Sequence, residues 1–371
     1  MDIASPRAWQ PDEQRVALTP AGVQTLISAG HTIYVEHNAG LGSAFTDDDY
    51  NNVGAHIVYS PNEIYGRGDF IATIRGVPDE AMSLMRPGQI IGGFLHLAVK
   101  HRRTLEAFAD AKLSTVSLEL IRGKGGVLPV RQPISEITGR LLPQLAAHLL
   151  ETPSGGRGIL LVPVPGIPSA EVVIVGAGVV GVNAAYGFTA WGVQTTVLDN
   201  QIERLRRCER ICRGRVTTRL CTDSVLESVL PFADVLIGAA HIPGDRTPKL
   251  VSRDMVKTMK PHSVIIDVAI NQGGCIETSR PTSHHAPTYM VEDVLHYAVP
   301  NITSGVARTA THALNNALTP YLQKIADAGL ERAITEEPAL AHGVGFMHGQ
   351  PIFPKVAEAL GVATASMENF L

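Results

Sequence analysis

Cysteine is scarce in this chain: four residues in 371, Cys208, Cys212, Cys221 and Cys275, behind an N-terminus with no signal-like character. That excludes a disulfide-stapled secreted scaffold and points to a reducing compartment, the cytoplasm. Cys208 and Cys212 stand four apart and share a face of any helix, yet no second cysteine or histidine pair completes a site, so no metal is expected. Excess charge is lacking too. A net charge of −4 gives no general attraction for nucleic acid, and the one basic stretch, Arg204 to Arg219, reads as a solvated helix face. Repeats and low-complexity segments are absent, and 45% hydrophobic residues exclude disorder. One long uncharged run, Val172 to Val193, resembles a membrane span in hydropathy. Two closely spaced glycines break it and Asn183 interrupts its apolar face, so no membrane contact is expected.

What is present centres on Glu171 to Asn200. An apolar β-branched run meets Gly176-Ala177-Gly178-Val179-Val180-Gly181, then a helix-compatible segment, then a second strand-like run ending at Asp199. This is the order of a dinucleotide-binding βαβ unit. Gly176 makes the tight turn, Gly178 lets backbone approach a pyrophosphate, and Gly181 lets the helix pack closely on its strand. The helix N-terminus offers free N–H groups to phosphates. Asp199 is placed to accept from the ribose diol and to repel a 2′-phosphate, which selects NAD over NADP.

A chain of this length exceeds one ordinary core, and two domains are expected. Residues 1 to about 130 alternate short strands and helices: a helix over Pro20 to Gly30 opened by Thr19, strands at Thr32 to Glu36, Asp69 to Ile74, Gln89 to Phe94 and Ser114 to Leu118, and a helix from Arg102 to Ala111. Arg75 and His96 follow two of those strands, where ligands of open α/β sheets sit. A long helix is expected over Ser135 to Leu150 and a Gly/Pro-rich loop over Pro153 to Pro168. Beyond Asp199, strands at Arg215 to Leu220, Asp234 to Ala239, Ser263 to Ala269 and Thr288 to Val291 outline a six-stranded nucleotide-binding sheet. A second long helix, Val306 to Ile325, leaves too little chain for another domain, so the C-terminus is expected to return to the first. The fold class is α/β with two domains: 1–130 with 308–371 a discontinuous Rossmann-like substrate domain, and 131–307 a Rossmann NAD-binding domain. His284-His285 reads as loop.

Eight segments carry a family resemblance: Arg15 to Pro20, AGLGSAF at 39–45, FLHLA around His96, PISEITGR at 133–140, GGRG at 155–158, the glycine motif, IPGDRTPKLV at 242–251 and IDVAINQGGCIETSRPT at 266–282. Together they resemble NAD-dependent L-alanine dehydrogenase, whose superfamily includes the NAD-binding domain of proton-translocating transhydrogenase. The resemblance implies oxidation of an L-amino acid to a 2-oxo acid and ammonia, or the reverse, in a cleft between two domains. It implies that Arg15 holds the substrate carboxylate, joined by Arg75, and that His96 binds the substrate and shuttles a proton. The implied cofactor contacts are Ser135, Gly176, Gly178, Val179, Val180, Gly181, Asp199, Arg204, Ala239, Ala240, Asn301 and Ile302. A homo-oligomer, by resemblance a hexamer, is expected, with two long apolar helices offering faces for symmetric contacts.

Two positions depart from the family pattern. Arg75, in Ile74-Arg75-Gly76-Val77-Pro78, stands where the family has a lysine, and Asn271, in DVAINQGG, where it has an aspartate. Leu118 also replaces a frequent tyrosine. Lysine can lose a proton when buried and arginine cannot; aspartate can accept a proton and asparagine can only orient. With Asn271 in the catalytic position, the expected protein is an NAD-dependent oxidoreductase repurposed away from alanine. The alternative is an NAD(H)-binding sensor or regulator with reduced catalysis.

Overall fold

The structure, a computed structural model, describes every residue except Pro11. In chain order its strands are β1 (Asp2–Ser5), β2 (Thr32–Glu36), β3 (His56–Val58), β4 (Phe70–Ala72), β5 (Ile90–Gly93), β6 (Ser114–Ser117), β7 (Glu171–Val175), β8 (Gln194–Asp199), β9 (Thr217–Leu220), β10 (Val235–Gly238), β11 (Val264–Asp267), β12 (Thr288–Val291), β13 (Val294–Tyr297), β14 (Val344–Met347) and β15 (Gln350–Pro351). They build two sheets, β15-β14-β6-β5-β4-β1-β2-β3 and β12-β13-β11-β10-β7-β8-β9. Two compact units result: Met1–Ile134 with Ser304–Leu371, and Ser135–Thr303.

In the second unit, strands β9-β8-β7-β10-β11-β13 are parallel. Counted along that unit the order is 3-2-1-4-5-6, the doubly wound arrangement. Its central strands are apolar except at their ends, Glu171 and Asp267, because both faces are covered. Val172, Ile174, Val235, Ile237, Val264 and Ile266 enter one core, while Val173, Val175, Leu236 and Ile265 enter the other. The period of two along each strand divides them.

The expected six-stranded sheet needs correction. Thr288–Val291 is not its sixth parallel strand but an antiparallel edge, Thr288 pairing with Tyr297. The sixth parallel strand is Val294–Tyr297. It escapes sequence reading because the two residues joining it to β12 are Glu292 and Asp293, both at positive φ (52° and 56°), where a hairpin turn ordinarily announces itself with glycine or asparagine.

The first unit repeats the order: β3-β2-β1-β4-β5-β6 are parallel, again 3-2-1-4-5-6, with β14 antiparallel beyond β6. Ile3, Phe70 and Ala72 pack into one core, Ala4 and Ile71 into another. Thr19 caps helix Pro20–Ser28 by accepting from Gly22 N. The run from Val172 to Val193 resolves into β7, a turn and helix Val179–Ala190. No helix among the described residues is long and apolar enough to cross a membrane.

Candidate functional site

Doubly wound sheets open a crevice at the carboxyl ends of their first and fourth strands, where the chain leaves in opposite directions. In the second unit these are β7 and β10. Gly176 follows β7 at φ 108°, and a Cβ on it would lie 2.7 Å from the Ala239 carbonyl and 2.8 Å from Ala240 N, so the ends of the two strands touch. A Cβ on Gly181 would lie 1.8 Å from Gly176 O, which seats the first turn of helix Val179–Ala190 against the glycine turn. Gly178 caps that helix without a side-chain bond and faces open space. The first N–H groups, at Val179 and Val180, are thus positioned for an anionic ligand.

Asp199 ends β8 and is 5% exposed. Its Oδ2 accepts from Ala177 N at 2.7 Å and its Oδ1 from Gln201 N at 2.9 Å. The carboxylate therefore fixes the glycine turn, and each oxygen keeps a second lone pair for a hydroxyl. Arg204 Nη1 stands 3.7 Å from Oδ2. Asn301 and Ile302 are buried and follow Pro300, whose carbonyl accepts from Asn271 Nδ2 at 2.5 Å. Ser135 is buried on helix Arg131–Leu149, which bonds to helix Val179–Ala190 through Arg140 Nε and Asn183 Oδ1 at 3.1 Å. These residues fit a dinucleotide: backbone donors beside an open glycine and a buried carboxylate.

In the first unit the corresponding strands are β1 and β4. The loop after β1 carries Glu13 and Arg15 and is pinned by helix Ala307–Ala328, with Val16 N donating to Thr311 Oγ1 and Thr19 N to Asn315 Oδ1. Arg75 follows β4, His96 follows β5 and Glu119 follows β6. Arg15, 8% exposed, grips Glu13 twice, Nε to Oε1 and Nη2 to Oε2, both at 2.6 Å. His96 sits at φ 50° and ψ 45°, with its Nδ1 3.8 Å from Glu119 Oε1. The structure thus brings Arg15, Arg75 and His96 together in the first unit and places Asn271 in the second.

Burial dominates the electrostatics here, and neighbouring cations add to it. Burial, then the charges of Arg75, Arg131, Lys100 and Arg15, push the His96 imidazole down to about 3, so the ring is neutral at any working pH. Burial also pushes Glu119 up to about 7, against its backbone hydrogen bonds and Arg131. Arg131 is lowered to about 10 by burial, with Glu119 opposing. Burial and Arg75 lower Lys100. Glu13 goes the other way. Burial raises it, but the charge and hydrogen bonds of Arg15 hold it below the ordinary carboxylate value.

Residues 6–138 match the profile described as "Alanine dehydrogenase/PNT, N-terminal domain" and residues 143–354 the corresponding C-terminal domain. The chain is 43% identical over 360 residues to alanine dehydrogenase of Methanococcus maripaludis, covering 97% of this chain and 96% of that one. It is 40% identical over 362 residues to the Mycobacterium tuberculosis enzyme of the same name, covering 98% and 97%. A solved L-alanine dehydrogenase superposes with a TM-score of 0.90 at 39% identity, covering 97% of this chain and 99% of that chain. The chain belongs to the alanine dehydrogenase/PNT family. It is accordingly an NAD-dependent oxidoreductase of the class acting on CH–NH2 groups. A transhydrogenase from Sinorhizobium meliloti, TM-score 0.79 and 22% identity over 95% of this chain and 99% of that chain, shares the fold.

Within this family frame the first unit holds four residues that sequence reasoning did not single out: Glu13, Lys100, Glu119 and Arg131. The signal for Glu13 was available, an acid two residues from Arg15 in a short loop. Arg131 gave none, since an arginine at a helix start reads as solvent-facing. Glu13 cancels the charge of Arg15, so the positive character around His96 comes from Arg75, Arg131 and Lys100.

Proposed function

We propose that this protein interconverts an amino acid or imine and a 2-oxo acid with NAD(H), the unit Ser135–Thr303 taking the cofactor and the unit Met1–Ile134 with Ser304–Leu371 the substrate, and that alanine is a poor substrate for it. Bound NAD supplies a hydride acceptor. The chain supplies everything else: the glycine turn, Asp199 and Arg204 hold the dinucleotide, with Ser135, Ala239, Ala240, Asn301 and Ile302 completing its contacts. Arg15, oriented by Glu13, and Arg75 hold the substrate carboxylate as planar donors. Neutral His96 takes a proton from the water that attacks the iminium, and Asn271 orients the nitrogen without carrying charge.

The observation that supports a substrate other than alanine is the set of cations around His96, chiefly Arg75, Arg131 and Lys100, which after burial lowers the proton affinity of the ring. An ammonium entering that field is disfavoured, while an additional carboxylate, or a nitrogen arriving as a neutral imine, is favoured. NADH oxidation measured against a panel of 2-oxo acids, with and without ammonia, tests this. Faster turnover of dicarboxylic or cyclic-imine substrates than of pyruvate with ammonia is the expected result. Alanine oxidation at about 10 per second or more overturns the substrate reading, and NADH binding with no turnover of any member makes the protein a cofactor sensor. The same reading takes the protein to be a cytoplasmic homo-oligomer, a hexamer by its family likeness, and a monomeric mass by light scattering at micromolar concentration refutes the assembly.

A further inference from the structure

We propose that Glu119 is a positioning residue for His96, holding the imidazole through the backbone beneath it and exchanging a proton with Nδ1 whenever Nε2 exchanges one with the substrate. The inference rests on the reading of His96 as the group that handles the substrate's protons.

His96 occupies left-handed backbone, where a residue with a Cβ stays only if its surroundings hold it. Glu119 holds it. Its Oε2 accepts from Leu95 N at 3.2 Å and its Oε1 from His96 N at 2.8 Å, so one carboxylate, 1% exposed, ties both peptide N–H groups of the turn. The same Oε1 faces His96 Nδ1 at 3.8 Å. Among the described residues that nitrogen, buried from solvent, has no hydrogen-bond partner. A buried ring nitrogen without a partner next to a buried carboxyl oxygen is a proton path awaiting about 1 Å of closure, and such contacts tighten when substrate binds.

The path solves a problem that the surroundings create. The charged groups facing the pair are Arg15, Arg75, Lys100 and Arg131, with Glu13 bound to Arg15 and Asp79 acting on Lys100. A proton added to Nε2 alone would make an imidazolium among cations. With Glu119 as partner, an N–H bond forms at Nε2, the N–H bond at Nδ1 breaks, and an O–H bond forms on Glu119. The ring stays neutral and the pair goes from one negative charge to none. A buried aspartate behind a catalytic histidine ordinarily stays ionised and only orients the ring. Glu119, raised to about 7 by burial, is matched to accept the proton.

The test follows the tautomer of His96 by 15N chemical shifts in the full chain, with and without NAD, from about pH 5 to about pH 9. The expected result is Nε2–H below about pH 7 and Nδ1–H above it. In Glu119→Gln the change of tautomer disappears, kcat falls about 10- to 100-fold with KM little altered, and the ionisation near neutrality leaves the kcat/KM profile. Glu119→Asp, which can still titrate, keeps the ionisation and recovers part of kcat. A single tautomer across the whole range in the unmodified protein, or the same ionisation in Glu119→Gln, overturns the proposal. The shifts need no substrate, so they decide the matter even where no amino or oxo acid is turned over. Should Glu119→Gln not fold, the unmodified protein and Glu119→Asp carry the test.

Discussion

The two units share one strand order, 3-2-1-4-5-6, each with an antiparallel strand beyond the sixth, yet their switch points hold opposite chemistry. After β7 and β10 the second unit presents glycines, alanines and backbone N–H groups. After β1 and β4 the first presents Glu13, Arg15 and Arg75, with His96 and Glu119 from the next two strands. Topology therefore chooses the place and side chains choose the ligand. Bare backbone suits a phosphate that must come close; paired guanidinium and carboxyl groups suit a small acid whose protons must be moved.

The largest expected effect separates chemistry from binding. His96→Ala should lower turnover by about 100- to 10,000-fold while leaving the dissociation constant for NADH nearly unchanged in a fluorescence titration; a parallel loss of NADH binding would mean the units are not chemically divided. Next, Glu13→Ala leaves the Arg15 guanidinium without its bidentate partner in a buried setting, and should destabilise the first unit by about 3–5 kcal/mol in denaturant titration. An effect below about 1 kcal/mol would mean that solvent already screens the pair.

In the second unit Gly181→Ala drives a methyl group into Gly176 O and should weaken NAD(H) at least about tenfold. Equal affinity for the variant would show that the turn yields. Asp199→Ala should cost less NAD(H) affinity and narrow a preference over NADP(H) that is expected to be at least about tenfold; NADP(H) binding as tightly as NAD(H) in the unmodified protein refutes the assignment. The remaining comparison is in pH. His96 stays neutral when folded down to about 3 but titrates at 6.5 when unfolded, so its contribution to stability is complete above 6.5 and lost as pH falls toward 3. Glu119, raised from 4.5 to about 7, contributes below 4.5 and loses that contribution as pH rises through 7. His96→Ala should accordingly flatten the acid side of the stability curve, and an unchanged acid side would mean the ring is solvated.

What was legible in the sequence follows the same division. The glycine turn, its flanking strand and helix, and Asp199 are consecutive, so spacing alone reveals them. The α/β class was equally plain from alternating periodicities. β1 was invisible although it is central to its sheet, because Asp2–Ser5 has four residues and only two of them apolar. In the first unit Arg15 was singled out through family resemblance, and Arg75 and His96 also by their places after strands, whereas the parts of Glu119 and Arg131 were not legible, because their significance lies in burial beside residues distant in the chain. Propensity and spacing describe neighbours in sequence; a charge pair across four loops leaves no period to read.

The bond from the Asn271 amide to the Pro300 carbonyl makes the exchange at this position a one-way step. An amide can donate; an ionised carboxylate cannot, and would confront the carbonyl oxygen with a second acceptor. Asn271→Asp must therefore either keep its proton, and bring no charge, or turn away and give up this bond to the segment that leads to Asn301 and Ile302, which His284 also holds through the Asn301 carbonyl at 3.1 Å. Placing the family's residue here therefore does not by itself rebuild the family's pocket: Arg75→Lys with Asn271→Asp is expected to raise alanine oxidation only where the aspartate accommodates the Pro300 carbonyl.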